Sequence, residues 1–96
     1  MPDFRLSPKA EQDLESVWVY SFEQWGKARA ESYVDSLISA FCGLASSSEL
    51  AVSCEHIRVG YRFCRQGKYI IYFKETVYGV EIVRILYECM QPSLHI

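Results

Sequence analysis

The fold is decided by the stretch GYRFCRQGKYIIYFKETVYGVEIVRILYECM, which runs from Gly60 to Met90. The runs Tyr61–Arg65, Lys68–Glu75 and Val80–Leu86 are rich in Tyr, Phe, Ile and Val, which suit a pleated, half-buried sheet. Each of the two short links between them contains a Gly that can adopt the positive φ of a tight hairpin. A parallel crossover would need about a dozen residues. The stretch therefore predicts a three-stranded antiparallel meander.

The two-residue period of a strand divides the side chains of this meander between two faces. We expect Arg84 and Lys74 to stay out of the core, because an unpaired buried charge is very costly. Their face is then the open face, and its apolar residues are Ile70, Tyr72, Ile82 and Leu86. The opposite face, expected beneath helices, carries Tyr69, Ile71, Phe73, Val83 and Ile85. An apolar patch rimmed by cations is typical of a binding surface, although a sheet covered on both faces by its own chain is the alternative.

The residues before the meander predict one strand and two helices. Asp3–Ser7 alternates like a short strand, and its final serine is a good N-cap for a helix that has Pro8 at its first position. This helix ends at Gly26, a typical C-terminal stop, and a second helix runs from about Lys27 to Ala45. The link of one or two residues makes the pair an antiparallel helical hairpin.

Apolar residues recur with helical period in both predicted helices, which assigns them to the core. They are Ala10, Leu14, Val17, Trp18 and Phe22 in the first helix, and Ala30, Tyr33, Val34, Leu37, Ile38, Phe41, Leu44 and Ala45 in the second. The carboxylates Glu11, Asp13 and Glu15 suit the positive end of the first helix dipole and are interpreted as a solvated face.

The predicted architecture is α+β, in the order β-α-α-β-β-β, with a helical hairpin packed on one face of a small antiparallel sheet. Residues 1–96 are expected to form a single domain. The segment Leu50–Ile57 is predicted to be an irregular loop, and Tyr87–Ile96 a short tail. The place of the first strand in the sheet stays open.

Composition excludes several classes of protein. Half of the residues are hydrophobic and 15% are aromatic, so the chain is globular and not disordered. No apolar run approaches the ~20 residues of a membrane helix, and the N-terminus lacks the apolar core of a signal peptide. We therefore expect a cytoplasmic protein without membrane partners.

Charge is divided along the chain. Residues 1–56 hold four Lys/Arg against nine Asp/Glu, whereas residues 57–96 hold six against three, so the two parts carry −5 and +3. A partner of the cationic sheet is expected to be acidic or a nucleic acid. The net charge of −2 argues against non-specific nucleic-acid binding by the whole chain.

Cofactor chemistry finds little support in the sequence. The four cysteines, Cys42, Cys54, Cys64 and Cys89, form no CxxC motif. Cys54 and His56 are two ligands, which do not make a zinc site. No metal or cofactor is expected, and the thiols are interpreted as reduced. His95 lies near the chain end, and no catalytic triad or phosphate-binding Gly loop is present.

The remaining candidates for function are cations and aromatics of the second half of the chain. They are Arg58, Tyr61, Arg62, Arg65, Lys68, Arg84 and Tyr87. Arg clusters bind carboxylates or phosphates, and aromatic rings can stack on bases. Arg with a general acid–base group can also cleave RNA without a metal. The alternative is that they are rim charges and core tyrosines.

Four segments of the chain resemble the ParE branch of the RelE/ParE toxins. They are FRLSPKAEQDLESVW, the turn QWG, IRVGYRFCRQGKYIIYF and VEIVRILYECM, and they span nearly the whole chain. The resemblance implies the fold described above and a small toxin paired with an antitoxin protein encoded beside it. ParE toxins are known for poisoning DNA gyrase, whereas their RelE relatives cut messenger RNA on the ribosome. Many ParE-like chains have His after the RIL motif, where this chain has Tyr87.

The absence of His from the strands and the modest positive charge favour a toxin that acts by binding, with DNA gyrase as the expected target. The residues expected to bind the target are Arg62, Arg65, Arg84, Tyr87 and Met90, with the tail to Ile96. The residues expected to bind the antitoxin in a hetero-oligomeric complex are Ile70, Tyr72, Ile82 and Leu86. The alternatives are a ribosome-dependent mRNA endoribonuclease using Arg62, Arg84 and Tyr87, and an inert partner-binding domain. No direct sequence-specific nucleic-acid binding is expected of the toxin alone.

Overall fold

A computed structural model describes residues 3–46, 52–53 and 60–90 of the chain. The elements are β1 (Asp3–Leu6), α1 (Pro8–Trp25), α2 (Lys27–Ser46), β2 (Val52–Ser53), β3 (Tyr61–Gln66), β4 (Tyr69–Thr76) and β5 (Gly79–Tyr87). The predicted order of strand, helical hairpin and three-stranded meander is confirmed. The prediction of an irregular loop over Leu50–Ile57 is wrong at Val52–Ser53, which pair antiparallel with β3. The rest of that segment, and residues 91–96 of the predicted tail, lie outside the described residues.

The strands form one five-stranded sheet in the order β1-β5-β4-β3-β2. The meander is antiparallel as predicted, and β1 adds to it as a parallel neighbour of β5, from Asp3 opposite Gly79 to Leu6 opposite Ile82. The sheet as a whole is therefore mixed. The parallel pairing is possible because the two helices supply the long crossover that it needs.

Helix α1 begins and ends at its capping residues, Ser7 and Gly26. The Ser7 hydroxyl accepts a hydrogen bond from the Ala10 N–H at 3.1 Å, and Pro8 occupies the first turn. At the other end Gly26 adopts a φ of 89° and donates its N–H to the Phe22 carbonyl at 2.9 Å. α2 starts at the next residue, so the hairpin link is a single residue.

The main core lies between the helices and the sheet. Its buried members are Ala10, Val17, Leu37, Phe41, Leu44, Ile71, Phe73, Val80, Ile82 and Ile85. Burial of these apolar surfaces is the main stabilising contribution of the fold. A second, smaller cluster on the opposite face of the sheet contains Tyr72 and Leu86, with Tyr61, Phe63, Ile70 and Met90 packed against it.

A β-bulge in β5 overturns part of the predicted division between faces. Tyr72 lies opposite Arg84 and Phe73 opposite Ile82, so Val83 is an extra residue without a counterpart on β4. One extra residue reverses the alternation on one side of it. Ile82 therefore lies fully buried in the helix-side core and not on the open face with Arg84. Val83, expected beneath the helices, is only half-buried.

Fewer residues of the two helices are buried than the helical periodicity predicted. Phe22 and Ile38 are exposed, whereas Ser21, a polar residue, is buried. Trp18 is half-buried. The buried residues of α1 are Ala10, Val17 and Ser21. Their spacings of seven and four residues place them on one face of the helix, which is the face that packs on the sheet.

Candidate functional site

Arg84 makes an ion pair with Asp13 of α1, and this pair joins the helix layer to the sheet. The Arg84 Nε lies 2.7 Å from Asp13 Oδ2, and its Nη2 lies 2.9 Å from Oδ1, which is a bidentate geometry. Oδ2 also accepts the backbone N–H of Ile85 at 3.0 Å. The hydrogen bonds that Arg84 donates to Asp13 hold the pKa of the Arg84 guanidinium above its ordinary value, against the opposing effect of burial.

Both side chains of this pair are largely shielded from water, with 14% of Arg84 and 15% of Asp13 exposed. Arg84 was expected on the open face, and Asp13 in a solvated row of carboxylates. Arg84 stands opposite Tyr72, as the strand period predicted, but its side chain reaches across the edge of β5 to α1, because no described strand pairs with that edge beyond Ile82. Arg84 therefore connects β5 of the sheet to α1 of the helix layer.

A cavity of about 420 Å³ lies beside this pair, between α1 and the end of β5. We call it the edge groove. It is lined by Asp13, Ser16, Val17 and Tyr20 of α1, by Ile85, Leu86 and Tyr87 of β5, and by Tyr69 and Met90. Tyr87 and Met90, predicted to bind the target, meet here.

Tyrosine rings cluster at and beside this groove. Tyr69 makes edge-to-face contacts with Tyr87, at 5.5 Å between ring centroids, and with Tyr33, at 5.6 Å. Burial raises the pKa of the Tyr69 hydroxyl, and the neighbouring tyrosines Tyr33, Tyr20 and Tyr87 raise it further. Tyr69 therefore stays neutral at physiological pH and offers no anion for acid–base chemistry.

The other two predicted arginines lie on opposite faces of the sheet. Arg62 stands opposite Phe73 on the helix side, and its Nη1 is 3.2 Å from Glu75 Oε1. Arg65 stands opposite Ile70 on the other face and pairs with Glu88. The predicted cationic site residues are therefore not gathered on one face.

The predicted antitoxin-binding residues are also divided. Ile70 is half-buried, while Tyr72 and Leu86 keep only 4% and 2% of their surface exposed. Together with Ile82 in the core, this leaves Ile70 as the accessible member of the set. The predicted apolar patch is present as a packed cluster and is not an uncovered surface.

Sequence reasoning missed an exposed apolar surface on the second half of α1. Its residues are Val19, Tyr20, Phe22 and Trp25, each about half exposed. Trp25 contacts Tyr20 edge-to-face at 6.1 Å between ring centroids. The sequence did contain a signal for this surface. A helix that packs on one side needs only one apolar stripe, and α1 has more large apolar residues than one stripe can hold.

Metal and membrane chemistry receive no support from the residues that the structure describes. Those residues contain no group of three or more His, Cys, Asp or Glu side chains that could hold a metal ion. Nor does any helix over them combine the length and hydropathy needed to span a bilayer. Cys42 and Cys89 are exposed, and Cys64 is half-buried, each as a free thiol. Arg58, Cys54, His56 and His95 lie outside the described residues.

Comparisons with known proteins agree with this architecture. Residues 4–92 match the family of the ParE toxin of type II toxin–antitoxin system, parDE. Toxin ParE1 of Caulobacter vibrioides is 32% identical over 96 residues, which is 100% of this chain and 99% of that protein. Toxin ParE1 of Mycobacterium tuberculosis is 32% identical over 88 residues, 91% of this chain and 90% of that protein. Among solved structures, a chain of the chromosomal ParDE TA system from P. aeruginosa superposes with a TM-score of 0.75 at 17% identity, covering 91% of this chain and 96% of that one.

The helical hairpin on a small sheet that ends in an antiparallel meander is a fold shared with the ParDE chain, and the family match places the protein in the RelE/ParE class of small toxins, as the resemblance implied. The match over residues 4–92 and the identity to two ParE1 toxins are more specific than the fold. The chain belongs to the ParE toxin family of type II toxin–antitoxin systems.

Proposed function

We propose that this protein inhibits DNA gyrase by binding to it, and that a cognate antitoxin neutralises it by forming a complex with it. Membership of the ParE family is the observation that carries the proposal. The solved relative belongs to a ParDE system, which supports an antitoxin as the partner.

The positions of Arg62, Arg84 and Tyr87 support binding over RNA cleavage. A nuclease would need them to converge on one phosphate, because catalytic groups must lie within hydrogen-bond reach of the reacting atoms. Arg84 is held by Asp13, and Arg62 lies on the helix side two strands away. Tyr87 aligns with Gln66 across β4, four residues along β3 from Arg62, which is about 13 Å at the rise of a strand.

Arg65 is the most accessible of the cations predicted to bind the target. Its side chain is 60% exposed on the face opposite the helices. Exposed Arg residues beside apolar groups are frequent hot spots of protein interfaces. We therefore assign Arg65 to the gyrase-binding surface, together with Met90, which lies two residues after Glu88, the ion-pair partner of Arg65.

The test is a supercoiling assay with purified gyrase and purified protein, beside induced expression in the host. We expect inhibition of supercoiling, a DNA-damage response and filamentous cells, each reversed by the antitoxin encoded beside the toxin gene. Arg65→Glu should weaken the inhibition of gyrase by about tenfold or more, as loss of a hot spot does. Lys27→Glu, which changes an exposed cation of α2, is the matched control and should leave inhibition unchanged.

Different outcomes separate the alternatives. Rapid translation arrest with cut transcripts, and normal supercoiling, would contradict the proposal in favour of an endoribonuclease. A folded, antitoxin-free protein without effect on growth would leave only an inert binding domain. Equal inhibition of gyrase by the wild type and by Arg65→Glu would show that Arg65 is not part of the gyrase-binding surface. Gyrase would still be the target.

A further inference from the structure

The second half of α1 presents apolar side chains to solvent. Four of them are each about half exposed, namely Val19, Tyr20, Phe22 and Trp25. We call these four residues the α1 surface. Phe22 lies about one turn from both Val19 and Trp25, so the surface is continuous along the helix. Several large apolar side chains exposed together are typical of an interaction site.

The rings of the α1 surface are held by aromatic contacts. Tyr20 packs edge-to-face with Trp25 at 6.1 Å between ring centroids, and Phe22 packs with Trp18 at 6.3 Å. Rings that are ordered before binding lose little conformational entropy when a partner covers them. Aromatic side chains are also the residues that the cores of protein interfaces favour. The α1 surface therefore suits direct contact with a folded partner.

Carboxylates flank the α1 surface. A shallow hollow of about 380 Å³ lies along it and is lined by Gln12, Glu15, Ser16, Val19, Tyr20 and Glu23. Glu15 and Glu23 are exposed, and neither makes an ion pair with another residue that the structure describes. The chain has no Lys or Arg between Lys9 and Lys27, and Lys27 is held by a carboxylate of α2 at 3.9 Å. A Lys or Arg of a partner can lay its aliphatic stem on the apolar wall of the hollow and its charge beside the carboxylates.

The sign of these charges selects between occupants. A second copy that presents the same α1 surface would bring carboxylates against carboxylates, and like charges across an interface are unfavourable. The exposed cations of the sheet layer, Arg65 and Lys68, favour an acidic partner instead. The α1 surface therefore suits a partner whose own surface is both apolar and cationic.

We infer that the α1 surface docks on a cationic surface of DNA gyrase. An enzyme that handles DNA holds the phosphates with Lys and Arg, so gyrase presents surfaces of this kind. The contact lies on the helix layer and is separate from the one assigned to Arg65 on the sheet, so the protein holds its target through both layers. The inference rests on the proposed function, because gyrase is the target proposed there.

The test measures the affinity of the purified protein for immobilised, purified gyrase by surface plasmon resonance. Val19→Lys places a cation on the α1 surface, at a side chain that is about half exposed. We expect it to bind gyrase at least about tenfold more weakly than the wild type, as loss of a hot spot does. Ser36→Lys adds the same cation to the exposed surface of α2 and should bind within about twofold of the wild type.

A second variant tests the charge of the hollow. Glu15→Gln combined with Glu23→Gln keeps the shape of the two side chains and removes their charge. We expect it to bind gyrase about threefold or more weakly than the wild type at about 0.05 M salt, and the difference to shrink at about 0.5 M, because salt screens exposed charges. Glu31→Gln combined with Asp35→Asn removes the same charge from the exposed surface of α2 and should bind like the wild type.

Thermal unfolding shows that each variant is folded before its affinity is compared. Full gyrase affinity of Val19→Lys, or of the double Gln variant at low salt, would overturn this inference and leave gyrase as the target. Absence of gyrase binding by the wild type would overturn the proposed function as well. If Val19→Lys bound gyrase fully but lost the antitoxin, or lost self-association that the wild type shows, the α1 surface would belong to that partner and the inference would be wrong.

Discussion

Arg84 and Asp13 connect α1 to the part of β5 beyond Ile82, where no described strand pairs with its outer edge. The Asp13 carboxylate accepts two hydrogen bonds from the guanidinium and one from the Ile85 N–H. Both groups can be partly buried because each charge is matched and both carboxylate oxygens accept hydrogen bonds. Removal of one partner leaves the other charge shielded from water and uncompensated. Arg84 therefore affects stability, although the sequence placed it among residues that only contact a target.

We expect Arg84→Ala to lower the free energy of unfolding by about 2–3 kcal/mol, through loss of charged hydrogen bonds in a partly buried site. Lys74→Ala, which breaks the more exposed pair with Glu81, is the matched control and should cost about 0.5 kcal/mol or less. Urea unfolding of both variants measures the difference. An Arg84→Ala protein that unfolds like the wild type but no longer inhibits growth would contradict this account and return Arg84 to the target surface.

The parallel pairing of β1 with β5 depends on a close approach of two backbones. Gly79 stands opposite Asp3, and its φ of +143° is rarely adopted by other residues. A Cβ at Gly79 would collide with the backbone of Asp3. At the other end of β1 the Ser7 hydroxyl donates to the Val83 carbonyl at 2.7 Å and so ties the strand to the bulge. The first and last strands are thereby joined at both ends of the contact.

We expect Gly79→Ala to destabilise the protein by more than about 2 kcal/mol, because it adds backbone strain to a steric clash with β1. Gly43→Ala makes the same change within α2, where the new Cβ meets no atom within 4 Å, and should stabilise the protein by about 0.5–1 kcal/mol. Thermal unfolding of both variants shows whether Gly79→Ala lowers the stability and Gly43→Ala raises it. A neutral Gly79→Ala would mean that β1 can move away from β5 at little cost.

At the scale of the molecule, the charge division of the sequence follows the two layers of the fold. Most of the acidic part forms the helices, and the cationic part forms the meander. Arg65 and Lys68 are the exposed cations of the sheet layer beside the β3–β4 turn, where an acidic partner would be attracted. Long-range attraction of this kind acts on association rates more than on final affinity.

We expect the association rate of the antitoxin to fall as salt rises from about 0.05 to 0.5 M, because the Debye length shortens over this range. Replacing both Arg65 and Lys68 with Gln should lower the rate at low salt and flatten its salt dependence. Arg29→Gln, on the exposed surface of α2, is the control and should not flatten it. Stopped-flow mixing measures the rates. Equal rates at low and high salt would exclude steering by the sheet.

Local patterns determined the elements of this protein. The caps at Ser7 and Gly26, the apolar strands and the two hairpin turns act within a few residues, so the sequence predicted them and the family resemblance agreed with them. Only the tertiary structure decided which side of the sheet Ile82 occupies, because the bulge at Val83 arises where β1 leaves β5 for α1. The same meeting of distant segments pairs Asp13 with Arg84 and opens the edge groove. A strand period counted along the sequence assumes an unbroken register, and that register is set by contacts between residues about 70 positions apart.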